Sequence, residues 1–176
     1  MRSLPPGGSL LSGYRPGVIG EITQAHATYY HENWALDASF EIQVATELSD
    51  FVRFFDPTRD GLWVGRMGGR LAGSVAIDGR GSPDPGARLR WLIVPPEFQG
   101  MGLGRRLVEE ALAFCAKAGH PRVFLWTFQG LDAARALYES VGFRLCREHT
   151  VVQWGQTLRE QLFELDLAPG RTSRGS

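Results

Sequence analysis

The sequence predicts a single-domain α/β layer fold, and three observations predict it. Windows with apolar residues at helical spacing alternate along the chain with short apolar or alternating runs of strand character. No internal repeat and no linker divides the 176 residues. With 43% hydrophobic content, a chain of this length buries roughly 70% of the surface it exposes when unfolded, so it needs no disulfide or metal to hold a core.

Residues 1–13 are rich in Pro, Gly and Ser, with no apolar run long enough for a signal peptide, and read as a mobile lead-in. Residues 13–15 read as a short first strand. Residues 18–31 read as a helix, with Ile22, Ala25, His26 and Tyr29 near one face. A second helix is expected over residues 39–55, where Phe40, Val44, Leu48, Phe51 and Phe55 recur at helical spacing. The period then changes. Residues 62–66 and 71–77 read as strands joined by a Gly68-Gly69 turn, residues 79–86 as a loop, and residues 89–94 as a strand. The run Trp91-Leu92-Ile93-Val94 predicts burial on both faces of that strand.

A helix over residues 102–118 follows. Leu103, Leu107, Ala111 and Cys115 step by four, Arg105, Arg106, Glu109, Glu110 and Lys117 take the other face, and Gly119 then Pro121 end it. Residues 123–127 read as a strand, and Asp132 as the cap of a helix ending near Gly142. Residues 143–152 and 158–167 complete the strands, and residues 169–176 read as a loose tail. The domain proper is therefore expected over residues 14–168.

Several function classes lose support at once. The formal net charge is zero, with none of the basic excess of a nucleic-acid binder. No 18-residue apolar run suggests a membrane span. Cys115 and Cys146 lack the spacing of a zinc site or disulfide framework and fit a reducing compartment, hence the cytoplasm. His26, Tyr29, Tyr30 and His31 cluster on one helix but lack the H-E-x-x-H arrangement, so no metal site is expected. Trp63, Trp91 and Trp126 fall within strands and are expected in the core, whereas Trp34 and Trp154 sit nearer loops and are available to line an acceptor pocket. Cys115, on an apolar stripe, is not expected to be a nucleophile.

The stretch Val94-Pro95-Pro96-Glu97-Phe98-Gln99-Gly100-Met101-Gly102-Leu103-Gly104-Arg105-Arg106 carries the chemistry. It is a glycine-rich loop between a buried strand and an amphipathic helix. The first N–H groups of a helix have no partner within it, and the macrodipole adds about half a positive charge there. Glycines allow a phosphate to approach the backbone closely. A P-loop would need Lys and then Ser or Thr after its last glycine, where Arg105-Arg106 stand. A dinucleotide fingerprint would need a third glycine at Arg105 or Leu107. Neither fits.

The spacing that fits is Gln-x-x-Gly-x-Gly at Gln99, Gly102 and Gly104. With the preceding strand ending at Val94-Pro95 and the later Leu137-Tyr138-Glu139-Ser140-Val141-Gly142-Phe143, it resembles the GNAT superfamily of N-acetyltransferases. The resemblance covers about residues 14–167 and is best from 89 to 143. The chain is also similar to the acetyltransferase half of bacterial proteins that fuse a winged-helix regulator to such a domain. The resemblance implies a mixed, mostly antiparallel, splayed sheet of six or seven strands flanked by helices, and acetyl-CoA as cosubstrate without a metal. It implies that Leu92, Ile93 and Val94 meet the pantetheine arm. Pro95 and Pro96 agree independently, since proline donates no ladder bond. It implies that Gln99, Gly100, Met101, Gly102, Leu103, Gly104 and Arg105 hold the pyrophosphate. Many relatives carry Asn shortly after the strand that here ends at Thr127. This chain has Phe128 and Gln129, so Gln129 is the residue available for that contact.

By the same resemblance Tyr138 is the general acid beside the thioester sulfur, although its neighbours Ala134, Leu137 and Val141 also fit a packing role. A primary amine has a pKa of about 10.4 and must lose a proton before it attacks. Candidates for the base are Glu21, His26, Glu32, Glu41 and His149, with Glu41 first and His26 next, or a chain of waters. The acids between Gly17 and Phe55 outnumber Arg53, which favours a cationic acceptor if those helices line its entrance. Small polyamine, aminoglycoside, amino acid, peptide N-terminus and protein lysine all stay open as acceptors. The alternative reading is a non-catalytic acyl-CoA-binding regulatory domain. The resemblance allows a homodimer, and no sequence feature decides it.

Overall fold

A computed structural model describes residues 4, 6–80 and 86–167. The tail expected from residue 169 onward and the middle of the 79–86 loop lie outside the described residues. Seven strands form one sheet: β1 (Gly8–Ser12), β2 (Gly61–Met67), β3 (Arg70–Asp78), β4 (Ala87–Ile93), β5 (Arg122–Phe128), β6 (Arg144–Gln153) and β7 (Gln156–Asp166). Among the described residues four α-helices accompany them: α1 (Val18–Trp34), α2 (Ala38–Arg53), α3 (Leu103–Ala118) and α4 (Asp132–Ser140). The strand order is β1-β2-β3-β4-β5-β7-β6, and every neighbouring pair is antiparallel except β4 and β5.

The first strand lies at residues 8–12, not 13–15. Part of the expected lead-in is thus an edge strand, with Leu10 opposite Gly65 of β2. Leu10 and Leu11 alone are too short an apolar run to announce a strand, and pairing with β2 makes it one. The β2–β3 turn falls at Gly68-Gly69, both with positive φ, as a two-residue hairpin requires.

On one face of the sheet α3 buries Leu103, Leu107, Val108, Ala111 and Cys115 against Val75, Ile77, Leu89 and Val123, joined by Tyr138 of α4. On the other face α1 and α2 bury Val18, Ile22, Leu48 and Phe51 against Leu62, Val64 and Ala76. A third cluster, Leu36, Phe40, Val44, Phe128 and Leu158, joins the α1–α2 pair to the far half of the sheet. Asp37 starts α2 by accepting the Ser39 N–H at 2.9 Å, a cap worth about 1 kcal/mol. Asp132 does not cap α4: it is the first helical residue, Leu131 holds the cap position, and no side chain bonds there. Its carboxylate still lies at the positive end of the helix.

Two features of β4 create the site. β4 and β5 pair only at Ala87↔Val123 and Arg88↔Phe124 and then separate. In addition, the β3–β4 register shifts between Ser74↔Ile93 and Ala76↔Arg90, so three residues of β4 span what two span on β3. Trp91 takes up the extra length at φ 49. Of the run Trp91-Leu92-Ile93-Val94, expected to be buried on both faces, only Ile93 is buried; Trp91, Leu92 and Val94 are half-buried and face the opening.

Candidate active site

The separation of β4 from β5 opens two adjoining cavities. The larger, about 710 Å³, is a groove between the edge of β4 and the start of α4. One wall is Leu92, Ile93 and Val94, and its end is Gln99, Gly100, Gly102, Leu103 and Gly104. Tyr29, Tyr30, Asn33 and Trp34 of α1 close one side, and residues 130–134 with Leu137 close the other. The smaller cavity, about 210 Å³, lies between the splayed strands and α1–α2. Tyr30, Leu92, Leu131 and Ala134 line both, so the two meet there.

The groove's end is built by the glycine loop. Gly100 and Gly102 have φ 78 and 79, a left-handed conformation that a side chain would strain. Gly102 is the cap residue of α3, and the first bond back to it comes from the Arg106 N–H, at 3.1 Å. The N–H groups of Leu103, Gly104 and Arg105 thus have no helical acceptor. Gly104 has ordinary helical backbone. A Cβ there would touch Leu137 and Val94 only at ordinary contact distance, 3.5 and 3.6 Å. Protein packing therefore does not require a glycine at 104, whereas a ligand pressed against the helix start would.

The expected pyrophosphate residues divide accordingly. Gln99 lines the groove, but its side-chain amide donates to the Val94 carbonyl at 2.9 Å and braces the loop against the strand end. Met101 is 46% exposed and does not line the groove. Arg105 does not line it either: its guanidinium donates to the Ser140 hydroxyl at 2.8 Å, tying α3 to the end of α4. Gln129 also lies off both cavities. It is exposed, and its N–H is spent on the Arg159 carbonyl at 2.8 Å, extending the β5–β7 ladder. Gly130 and Leu131 occupy that side of the groove instead.

Tyr138 lines the smaller cavity and is only 6% exposed. Its ring meets Phe143 and Phe163 edge-on or tilted, with centroids 5.9 and 6.2 Å away. Burial, and then the nearby Tyr30, push its pKa above the usual phenol range, so the hydroxyl keeps its proton at neutral pH.

His26 lines the same cavity at 5% exposure. Its Nδ1 lies 2.8 Å from the Ile22 carbonyl. A carbonyl only accepts, so Nδ1 carries the proton of the neutral ring and Nε2 is left as an acceptor. Burial lowers its pKa to about 4.

The other base candidates stand elsewhere. Glu41 is exposed and off the cavity: Gln43, Val44 and Glu47 form the inward face of α2, and Glu41 lies outside that stripe. Glu21 is bidentate to Arg66, at 2.8 and 2.5 Å, and Glu32 is exposed. His149 contacts Glu160, 3.0 Å away, and of the two only Glu160 reaches the cavity wall.

Sequence reasoning missed much of that wall. Trp91 and Trp126, expected in the core, line the cavity; of the two tryptophans expected at the acceptor pocket, Trp154 lines the cavity and Trp34 the groove. Arg88, Arg90, Glu47 and Glu160 line it too. The available signal was two arginines spaced by two in an otherwise apolar strand, which puts both on one face. Among the described residues no group of His, Cys, Asp or Glu is arranged to hold a metal ion, and no helix is long and apolar enough to cross a membrane.

A seven-stranded sheet splayed between β4 and β5, with a glycine loop opening a helix at the splay, is the architecture of the acyl-CoA N-acyltransferases. The Acetyltransferase (GNAT) family profile matches residues 21–143, and the chain belongs to that family. The Salmonella typhimurium protein yncA, solved with its cofactor acetyl-CoA, superposes with a TM-score of 0.75 at 16% identity, covering 97% of this chain and 99% of that one. This likeness shows the shared fold. N-acetylaspartate synthetase of Danio rerio is 29% identical over 119 residues, 67% of this chain and 42% of that protein. N-alpha-acetyltransferase RimI of Mycobacterium tuberculosis is 42% identical over 80 residues, 45% of this chain and 49% of that protein. The chain thus spans about half the length of the curated relatives it matches.

Proposed function

We propose that the protein transfers the acetyl group of acetyl-CoA directly to an amine. The observation that carries this reading is the junction of the two cavities: a groove ending on unpaired helix N–H groups runs into a smaller pocket lined by Tyr138 and His26. The cosubstrate supplies a thioester already activated for attack.

The backbone at Gly102, Leu103 and Gly104 binds the pyrophosphate, and Leu92, Ile93 and Val94 run beside the pantetheine arm, where β4 has lost its neighbour. The amine enters from the smaller cavity. The amine reaches the thioester with its ammonium proton already lost to water. Its nitrogen attacks the thioester carbon, the carbon–sulfur bond breaks, and Tyr138 gives its proton to the departing thiolate and recovers one from solvent. His26, neutral at pH 7, accepts at Nε2 the proton that the nitrogen sheds once it has bonded to the carbonyl carbon. With a pKa near 4 it passes the proton on to water instead of holding it.

Two further parts of the reading follow. Cys115 and Cys146 are both free thiols, which supports a reducing, cytoplasmic setting. The best-supported base is His26 in place of Glu41, because only His26 is on the cavity wall.

The test is thermal unfolding with acetyl-CoA, with free coenzyme A and with ATP, each at about a hundred times a plausible dissociation constant. Specific binding at that excess adds about 2.7 kcal/mol and raises the melting temperature by several degrees. A rise with both coenzyme A species and not with ATP is expected, followed by thiol release when amines are added. No response to any coenzyme A species would overturn the reading, and binding without turnover on any amine would favour a non-catalytic acyl-CoA-binding domain.

A further inference from the structure

Two arginines line the smaller cavity, both on the face of β4 toward α2. Arg90 is held on every side. It contacts Asp78 at 3.3 Å, pairs with Glu47, and lies over the Trp91 ring with its guanidinium carbon 4.1 Å from the centroid. Arg88 has none of this. Among the described residues it makes no ion pair and no hydrogen bond, and its Nε is shielded from solvent without an acceptor. Burial, and secondarily the charge of Arg90, lower its pKa to about 10, so it is still a cation at neutral pH.

Glu47, Asp78 and Glu160 steady that charge, but from beyond contact distance. Each is engaged elsewhere: Glu47 with Arg90, Asp78 with Arg80 and Arg90, and Glu160 with His149. A guanidinium has five donors and no acceptor; on Arg88 the Nε donor is shielded and unfilled, and the terminal NH2 groups, at the cavity wall, have no protein acceptor among the described residues. The planar group that fills such a fork is a carboxylate, bound bidentately.

Position points the same way. Arg88 sits at the last paired position of β4 and β5, the apex of the splay. Leu92, where the two cavities meet, is four residues further on, roughly 11 Å along the strand once the bulge at Trp91 is allowed for. The rings of Trp91 and Trp126 stand on the cavity wall as well. At about 210 Å³ the space is small for a drug-sized ligand, since such sites begin near about 300 Å³.

We infer that the acceptor is a small amine that also carries a carboxylate, a molecule of the amino acid class, and that Arg88 is the specificity-determining residue that holds this carboxylate at the closed end while the amine faces Tyr138. The inference rests on the acetyl-transfer reading and narrows its acceptor. The acidic excess of α1 and α2 does not select a purely cationic acceptor, because Glu47, the acid of that excess on the cavity wall, is neutralised by Arg90.

The experiment compares each common amino acid with its carboxamide as acceptor for acetyl-CoA, in the wild type and in Arg88→Gln and Arg88→Lys. In the wild type kcat/KM for acids should exceed that for amides by about tenfold or more, mostly through KM, as expected for loss of a charge-assisted hydrogen bond. Arg88→Gln should abolish the preference and Arg88→Lys should keep part of it. If Arg88→Gln does not fold, the wild-type acid–amide comparison and Arg88→Lys still decide. Calorimetric titration of N-acetyl amino acids and their amides, with and without coenzyme A, gives the same comparison without turnover. Amides used as well as acids would overturn the inference and leave acetyl transfer standing. A preference for acids in a protein that ignores acetyl-CoA would overturn the acetyl-transfer reading and leave Arg88 as a carboxylate-binding residue without an acceptor role.

Discussion

The Ser74 hydroxyl donates a hydrogen bond to the Trp91 carbonyl at 2.7 Å, across the register shift between β3 and β4. It fixes the carbonyl of the one β4 residue with left-handed backbone. The bulge turns Leu92 and Val94 toward the groove, so this side chain–backbone bond holds the wall of the candidate site in shape. Ser74→Ala removes the donor and little else, since Ser74 is fully buried on β3. Urea unfolding should register a loss of about 1 kcal/mol, and acetyl-CoA affinity should fall several-fold. Unchanged affinity would mean that the bulge needs no such support.

Tyr138→Phe keeps the ring among Phe143 and Phe163 and removes the hydroxyl. The expected result is a fall in kcat of about 10²–10⁴-fold with acetyl-CoA affinity unchanged, because the ring's packing is preserved. Steady-state kinetics beside calorimetric titration separate the two effects. Equal kcat in the two proteins would leave Tyr138 a packing residue.

Gly102→Ala and Gly104→Ala should behave differently. At Gly102 the left-handed backbone strains any side chain, by about 1–2 kcal/mol, so stability and binding fall together. At Gly104 the backbone is helical and nearby protein atoms leave room for a methyl group. Alanine there should hold or raise stability, by up to about 1 kcal/mol from helix propensity, while weakening acetyl-CoA binding. Paired melting and titration experiments on both variants check this contrast.

His26 predicts a pH dependence of stability. Its pKa in the folded protein, about 4, lies below the ordinary imidazole value of 6.5. The unfolded chain therefore binds the proton first as pH falls. The stabilisation is present above about pH 6.5 and is lost toward pH 4, at a slope of up to about 1.4 kcal/mol per pH unit. Denaturant midpoints across this range should fall in the wild type and fall less in His26→Gln. Equal slopes in both proteins would count against the buried neutral histidine.

Local pattern was enough for most elements. α2 and α3 follow from apolar residues stepping by three and four, and the β2–β3 hairpin from Gly68-Gly69, because these signals act over a few residues. The glycine loop was legible for the same reason: Gly100, Gly102 and Gly104 do their work through their own backbone and the start of their own helix. β1 was misplaced because two leucines become a strand only on meeting β2. Glu41 stands outside the cavity that Glu47 lines: both lie on one acidic helix, and only packing of Phe40, Val44 and Leu48 tells which side faces inward.

The sequence by itself determined the α/β layering, the glycine-rich helix start with its unpaired N–H groups and, through its motifs, the family. Each depends on residues near one another in the chain. Tertiary structure alone decided which side chains share the smaller cavity. His26, Arg88, Trp126, Tyr138 and Glu160 come from five different elements. They meet only because β4 bulges at Trp91 and parts from β5 after Arg88, and that separation is a property of strand pairing, not of any segment alone.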